Sequence, residues 1–475
     1  MAATLEQKMK TRVEHDFLGE MKIPANAYYG VQTMRAVQNF SISGRTISQC
    51  PSLIRALAYV KTAAALANAE LGALPANISK AICAACDELL AGKLHDQFPV
   101  DTIQGGAGTS TNMNANEVIA NRALEIMGHE KGDYQYCHPN NHVNCSQSTN
   151  DAYPTAFRLA LYAELTNLME HMRYIQGCFA RKGVEFADVV KMGRTQLQDA
   201  VPMTLGQEFS AYATTIGEDI LRVEKNRKLL LEINLGATAI GTGINAPSDY
   251  SRIVCNHLSN LIGLNVVTSD NLIEATWDTG SYVQISGVLK RFAVKLSKIC
   301  NDLRLLSSGP RTGINEINLP RRQPGSSIMP GKVNPVIPEV INQICFDVIG
   351  KDMTVTMAAE AGQLELNVME PIIAHTLFLA VERLGIGCRT LGEKCVEGIT
   401  ANRERCLELV INSIGIVTNL VPVIGYEKSA AIAKEALDTN KSVSEVALAH
   451  GVMTAEQLEK LLSPESMTRP SRAHL

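Results

Sequence analysis

Between Pro154 and Phe179 the apolar side chains Phe157, Leu161, Leu165, Leu168, Met172, Ile175 and Phe179 recur at intervals of three and four. That is the period of a helix with one face turned to a core. Ile285, Leu289, Phe292, Leu296, Ile299, Leu303 and Leu306 repeat the pattern, with Lys290, Lys295, Lys298 and Asp302 off the stripe. Stripes of this length are buried most readily against one another, and strand patterns are scarce, so the chain is expected to be all-α, with long central helices and polar loops at their ends. The run Val336 to Met369 is apolar on most of its circumference and predicts a helix buried on all sides. One chain cannot easily surround such a helix, which points to helices from further copies.

The remaining chain suggests three regions: an N-terminal, mostly helical domain over residues 1–145, a central long-helix domain over 146–398, and a small helical domain over 399–475. Residues 12–50 read as an irregular entry with a short hairpin. Leu53–Leu71 and Ile78–Leu90 read as two antiparallel helices joined near Pro75. Met192 to Pro202 reads as a polar loop opening the next helix, and Pro371 as the residue that kinks or ends the apolar run.

Composition narrows the function classes. Of 475 residues 46% are hydrophobic and 19% charged, as in a globular chain. A net charge of −4 without a basic run gives no footprint for nucleic acid. No segment offers about 20 uninterrupted apolar residues, and Met1–Glu20 has no apolar core of a secretory signal. The expectation is therefore no membrane and a cytoplasmic protein, although Ala473-His474-Leu475 loosely echoes a peroxisomal tripeptide. Twelve cysteines without framework spacing read as reduced thiols, and Cys83 and Cys86 as helix core, since no second pair completes a metal set.

Four polar loops remain as candidate chemistry: Gly108-Thr109-Ser110, Ser148-Thr149-Asn150-Asp151, Gly193-Arg194-Thr195-Gln196, and Gly325 to Pro335 with Ser326, Ser327, Lys332 and Asn334. Singly, the first three suit turns and helix caps. Together they offer hydroxyl and amide donors around one lysine, a set suited to a small dicarboxylate. In the last loop Pro324-Gly325 and Pro330-Gly331 mark an exposed segment, Asn334 is placed to cap the following helix, and Lys332 adds charge to the helix start. A serine base there is chemically demanding. An ammonium about 4 Å from the hydroxyl, at an effective dielectric of ~20, favours the alkoxide by ~4 kcal/mol, or ~3 pK units. Further donors must converge on it.

Gly325-Ser326-Ser327-Ile328-Met329-Pro330-Gly331-Lys332-Val333-Asn334 resembles the signature of the fumarase/aspartase lyase superfamily, with every fixed position present, and the likeness runs from about Arg12 to the C-terminus. The resemblance implies a three-domain helical fold assembled as a homotetramer, each active site shared among three subunits. It implies that Ser326 is the base, that the hydroxyls of Thr109, Ser148, Thr149 and Ser327 bind an aci-carboxylate, and that Lys332 and Asn334 hold the second carboxylate. Asn150, Thr195 and Gln196 would surround the leaving group.

Hydratases of this superfamily carry His where this chain has Gln196, Ser where it has Ala107, and a second Ser where it has Thr149. An imidazole paired with Glu339 activates water, whereas the Gln196 amide cannot act as a base. The resemblance therefore implies loss of ammonia from L-aspartate to give fumarate. A class II fumarate hydratase is the alternative, followed by a non-catalytic, crystallin-like protein that keeps only the fold. It implies no required cofactor; activation by Mg2+ stays open, with no ligand cluster to mark a metal site.

Overall fold

The computed structural model describes residues 10–468, so Ala473-His474-Leu475 lies outside the described residues. In chain order the main elements are β1 (Thr11–Asp16), β2 (Gly19–Pro24), α1 (Val31–Asn39), α2 (Pro51–Glu70), α3 (Ala76–Leu90), α4 (Thr109–Ile126) and α5 (Thr149–Glu185). They continue with β3 (Val190–Thr195), β4 (Gln198–Thr204), α6 (Leu205–Arg227), β5 (Glu232–Ile233), α7 (Tyr250–Ile262), β6 (Val267–Thr268), α8 (Leu272–Trp277) and α9 (Gly280–Leu306). Then come β7 (Ile317–Asn318), α10 (Val336–Glu360), α11 (Glu370–Lys394), β8 (Thr400–Ala401) and α12 (Arg403–Ile411), with short helices from Val421 to Thr468. The sheets are all two-stranded pairs, β1–β2, β3–β4, β5–β6 and β7–β8. The all-α expectation holds.

Two compact units are each assembled from three stretches. One takes the chain up to Met169, Arg222–Arg291 and Asp347–Arg383; the other takes Glu170–Leu221, Phe292–Phe346 and Leu384 onward. In the first unit Phe157 stacks on Tyr282 with ring centroids 4.5 Å apart and meets Phe378 edge-on at 5.5 Å. In the second, Phe179, Phe186, Phe209 and Tyr212 interlock at 5.4 to 6.0 Å. Offset and edge-on pairs of this kind add about 0.5–1.5 kcal/mol to area burial. Every residue of the two long stripes on α5 and α9 is buried.

Local chemistry explains the first unit's element ends. Pro51 opens α2, where its missing N–H costs nothing. The α1 start is capped from a distance: buried Glu117 on α4 accepts from the backbone of Gly30 (2.8 Å), Gln32 (2.8 Å) and Thr33 (3.1 Å). Burial pushes that carboxyl up to about 7. Cys83 and Cys86 both lie on α3, and burial raises the Cys86 thiol to about 12, which leaves no reactive thiolate there.

Two expectations need correction. The segment Met192–Pro202 is an antiparallel hairpin, with a bulge between Met192 and Arg194. Gly193 hides it from a strand reading, but its lack of a side chain is what lets the strands close; a Cβ there would sit 2.8 Å from the Val201 carbonyl oxygen. The apolar run from Val336 ends at Glu360, and Gln363 bridges Leu366 in a tight break before α11, whose second residue is Pro371. Within one chain α10 leaves Phe346, Met353 and Met357 60, 62 and 65% exposed, in line with the expectation that a single chain does not surround it.

Candidate active site

In the first unit, Thr109 opens α4 after three successive left-handed residues, Gly106, Ala107 and Gly108. Gly108 is required by contact as well as conformation, because a Cβ there would come within 2.5 Å of the Tyr153 ring on α5. The Thr109 hydroxyl donates to the Gly106 carbonyl at 2.8 Å. Its proton is thus committed to its own turn, and it binds a substrate oxygen only by releasing that carbonyl.

Ser148 caps α5. Its Oγ accepts from the Asn150 N–H (3.2 Å), and its own N–H donates to Asp151 (2.9 Å), a reciprocal cap. Thr149 Oγ1 accepts from Asn112 Nδ2 at 3.2 Å. Both hydroxyls receive one bond and keep their O–H free to donate, as a bound oxyanion needs. Asn112 is held in turn by Lys61, whose fully buried ammonium donates to Asn112 Oδ1 (2.8 Å), Gln147 Oε1 (2.9 Å) and Asn144 Oδ1 (3.0 Å). Burial among neutral amides lowers the Lys61 amine to about 7. Asp151 is buried too, and desolvation lifts its carboxyl to about 6 although the backbone N–H groups of Ser148, Gly236 and Thr238 bind it.

Asn150 is fixed through a helix defect. Pro154 cannot donate to the carbonyl four residues before it, which is that of Asn150. Asn234 Nδ2 supplies the missing donor at 3.0 Å, and the Asn150 side chain donates to the Ala239 carbonyl at 2.7 Å.

The other six candidates lie in the second unit. Thr195 and Gln196 form the tip of the β3–β4 hairpin and are exposed. Thr195 pairs with Gln198, so Gln196 and Leu197 make a two-residue turn, at φ of 54° and 61°. A turn of this hand normally takes Asn and Gly, and side chains held there cost roughly 1–3 kcal/mol each. The hairpin base is anchored by buried Glu316, which pairs with Lys191 (3.0 Å) and Arg194 (2.9 Å).

The Gly325–Pro335 loop is closed at its neck. The Gly325 N–H donates to the Lys332 carbonyl (2.7 Å), and Asn334 Nδ2 donates to the Gly325 carbonyl (2.8 Å). Asn334 therefore clamps the loop instead of capping α10, whose first turn closes from Glu339 N–H to the Pro335 carbonyl. Pro330-Gly331 falls inside the clamp, where Gly331 takes a φ of +83° in a turn. Ser326 Oγ accepts the backbone N–H groups of Ile328 (3.1 Å) and Met329 (3.0 Å). Two donors on one hydroxyl oxygen favour its deprotonated form. Ser327 and Lys332 are exposed, and Lys332 has no ion-pair partner among the described residues. Nor, among those residues, does any hydrogen bond join the hairpin tip to the loop.

The sequence reading overlooked Lys61, Asn112 and Asn234. A charged residue inside the alanine-rich stretch Val60-Lys61-Thr62-Ala63-Ala64 is the one signal that could have flagged the first.

The chain is thus helical, with free hydroxyls at a helix start in one unit and a clamped Gly-Ser-Ser loop in the other, and comparison with known proteins places it among the lyases. A family model described as Lyase matches residues 19–350, and one described as Fumarase C C-terminus matches residues 416–469. The chain is 60% identical over 459 residues to an aspartate ammonia-lyase of Helicobacter pylori (strain J99 / ATCC 700824), covering 97% of this chain and 98% of that relative. It is 57% identical over 461 residues to the aspartate ammonia-lyase of Escherichia coli (strain K12), covering 97% and 96%. Among solved structures, fumarate lyase:delta crystallin from Brucella melitensis bound to cobalt matches with a TM-score of 0.95 at 56% identity, covering 97% of this chain and all of that one. A class II fumarase from Schistosoma mansoni matches with a TM-score of 0.90 at 36% identity, covering 96% and 98%. The chain belongs to the fumarase/aspartase lyase family.

Proposed function

We propose that this chain catalyses the reversible removal of ammonia from L-aspartate to give fumarate. The observation that carries the reading is the Ser326 hydroxyl, held on a clamped loop beneath two backbone N–H donors. Ser326 takes a proton from the carbon next to one carboxylate. The electron pair moves onto that carboxylate as an aci-dianion, then returns to form the carbon–carbon double bond as the carbon–nitrogen bond breaks and ammonia leaves with its own pair. Ser148, Thr149, Thr109 and Ser327 bind the dianion, each donor aimed at the developing charge contributing ~3 kcal/mol. Lys332 and Asn334 hold the other carboxylate, and Asn150, Thr195 and Gln196 face the amino group.

Gln196 favours this reaction over hydration, since an amide accepts a bond from the departing nitrogen but cannot deprotonate water. The working form is a homotetramer in which three subunits complete each site. Phe346, Met353 and Met357 support it, lying at helical spacing along α10 and exposed in one chain as an apolar stripe for further copies to cover. The division at residues 145 and 398 stands within this proposal. The enzyme acts in the cytoplasm, in keeping with twelve free cysteines, and needs no cofactor; activation by Mg2+ is left without an assigned site. Ultraviolet absorbance of fumarate tests the reading. Absorbance should rise with L-aspartate and stay flat with L-malate, and the reverse pattern would replace deamination by hydration.

A further inference from the structure

Gln196 and Leu197 hold left-handed backbone, with φ of 54° and 61°, in a turn whose geometry normally asks for Asn and Gly. The side chains of the turn do not offset that strain. Leu197 is 70% exposed, and among the described residues none of Thr195, Gln196, Leu197 and Gln198 makes a side-chain hydrogen bond.

The tethers lie one residue pair below. Arg194 and Asp199 face each other across the hairpin, next to the Thr195–Gln198 pair that closes the turn, and each is held from a distant part of the chain. The Arg194 guanidinium pairs with buried Glu316 at 2.9 Å, and the Asp199 carboxylate accepts from the Ser413 hydroxyl at 2.7 Å. Among the described residues that is the one hydrogen bond of the Asp199 side chain. Ser413 is itself fixed, 3% exposed and accepting the Gly415 N–H at 3.0 Å. The same segment meets the next strand residue through backbone, since a Cβ on Gly415 would lie 2.4 Å from the Ala200 carbonyl oxygen. Further down the hairpin, Val190 and Met192 are buried in one core with Ile416 and Leu420. The segment around Ser413 therefore grips the hairpin from its base to the pair beneath the turn.

We propose that Ser413 is a positioning residue for the reaction. By holding Asp199 it keeps the turn closed in its left-handed form, which presents the Gln196 amide to the amino group. The proposal rests on the deamination reading, in which Gln196 faces that group. Ser413 acts through Asp199 and the turn, not by contact with substrate. It sets the fraction of molecules whose turn is competent, and apparent affinity falls with that fraction.

The test is steady-state amination of fumarate by ammonium chloride at constant ionic strength. Ser413→Ala should raise KM for ammonium about fivefold while kcat and KM for fumarate stay within about twofold. Asp199→Ala, at an exposed position, removes the same bond from its other end and should give the same rise. The two changes combined should give no more than either alone. Glycine adopts a φ of 61° without strain, so Leu197→Gly added to either variant should bring the ammonium KM back to within about twofold of the unsubstituted protein. A hydroxyl that only stabilised the fold would move the melting temperature, but neither this split nor this rescue. An unchanged ammonium KM in Asp199→Ala, an equal rise in the fumarate KM, or no rescue by Leu197→Gly overturns the proposal. A wild-type protein that does not aminate fumarate overturns the deamination reading itself, a separate result seen before any substitution is made.

Discussion

The candidate residues of the two units differ in character. In the first, Thr149 and Asn150 are held by bonds that trace back to Lys61, Asn112 and Asn234, and Ser148 is held by Asp151. In the second, Gln196, Ser327 and Lys332 are exposed, and among the described residues the loop that carries Ser326 is hydrogen-bonded only to itself. The lysines make the contrast sharp. Lys61 is wholly buried and surrounded by neutral amides, with its amine lowered to about 7, whereas Lys332 reaches into open surface. Oxyanion donors must already point the right way before charge develops, because reorganising them during the reaction forfeits their benefit. A base made from serine gains instead from arriving late, when water is excluded and each neighbouring charge acts at full strength. The clamped neck keeps the Ser326 hydroxyl and its two N–H donors together on one loop.

Breaking the exposed half should cost most. Ser326→Ala should lower turnover of L-aspartate by about a thousandfold or more with the melting temperature nearly unchanged, since the side chain bonds only within its own loop. Retention of wild-type turnover would take Ser326 out of the mechanism. Thr149→Val attacks the rigid half. It keeps the shape, removes the free O–H and strands the Asn112 donor, so turnover should fall about a hundredfold and stability by about 1–3 kcal/mol in chemical denaturation. A variant that loses stability but no turnover would make Thr149 a structural residue only.

The smallest effect sharpens the contrast through pH. Glu370 opens α11 in the first unit, and burial pushes its carboxyl from 4.5 up to about 8. A raised folded value means that the stability is complete below the unfolded value and declines as pH rises through the folded one. Between about pH 4.5 and 8 the share of the decline due to Glu370 reaches at most ~1.4 kcal/mol per pH unit. Glu117 and Asp151, also raised by burial, add to the decline, and Lys61, titrating near 7 when folded, offsets part of it above neutrality. Glu370→Gln should flatten that slope in denaturation curves taken at pH 5 and pH 8. An unchanged slope would place the pH sensitivity elsewhere.

Legibility followed locality. The stripes on α5 and α9 are periodic over long spans, so the buried face could be read directly from residue spacing. The hairpin at Val190–Thr204 could not, because Gly193 and Pro202 look like loop residues and its turn uses Gln196 and Leu197 in a conformation ordinarily left to Asn and Gly. Asn334 was misjudged for a similar reason. Its spacing suits a helix cap, but its amide reaches back nine residues to Gly325, a contact that exists only once the loop has closed.

From sequence alone came the helical class and the polar loops, carried by short-range pattern, while the signature around Ser326 and the preference for ammonia over water as leaving group came from resemblance to the family at single positions. Tertiary structure decided which hydroxyls are free to donate, that a proline hands the Asn150 carbonyl to Asn234, and that Lys61 anchors Thr149 from 88 positions away in the chain (149 − 61). Those are questions of where a proton or lone pair is left over after packing, and only the folded arrangement of distant segments supplies the partners that settle them.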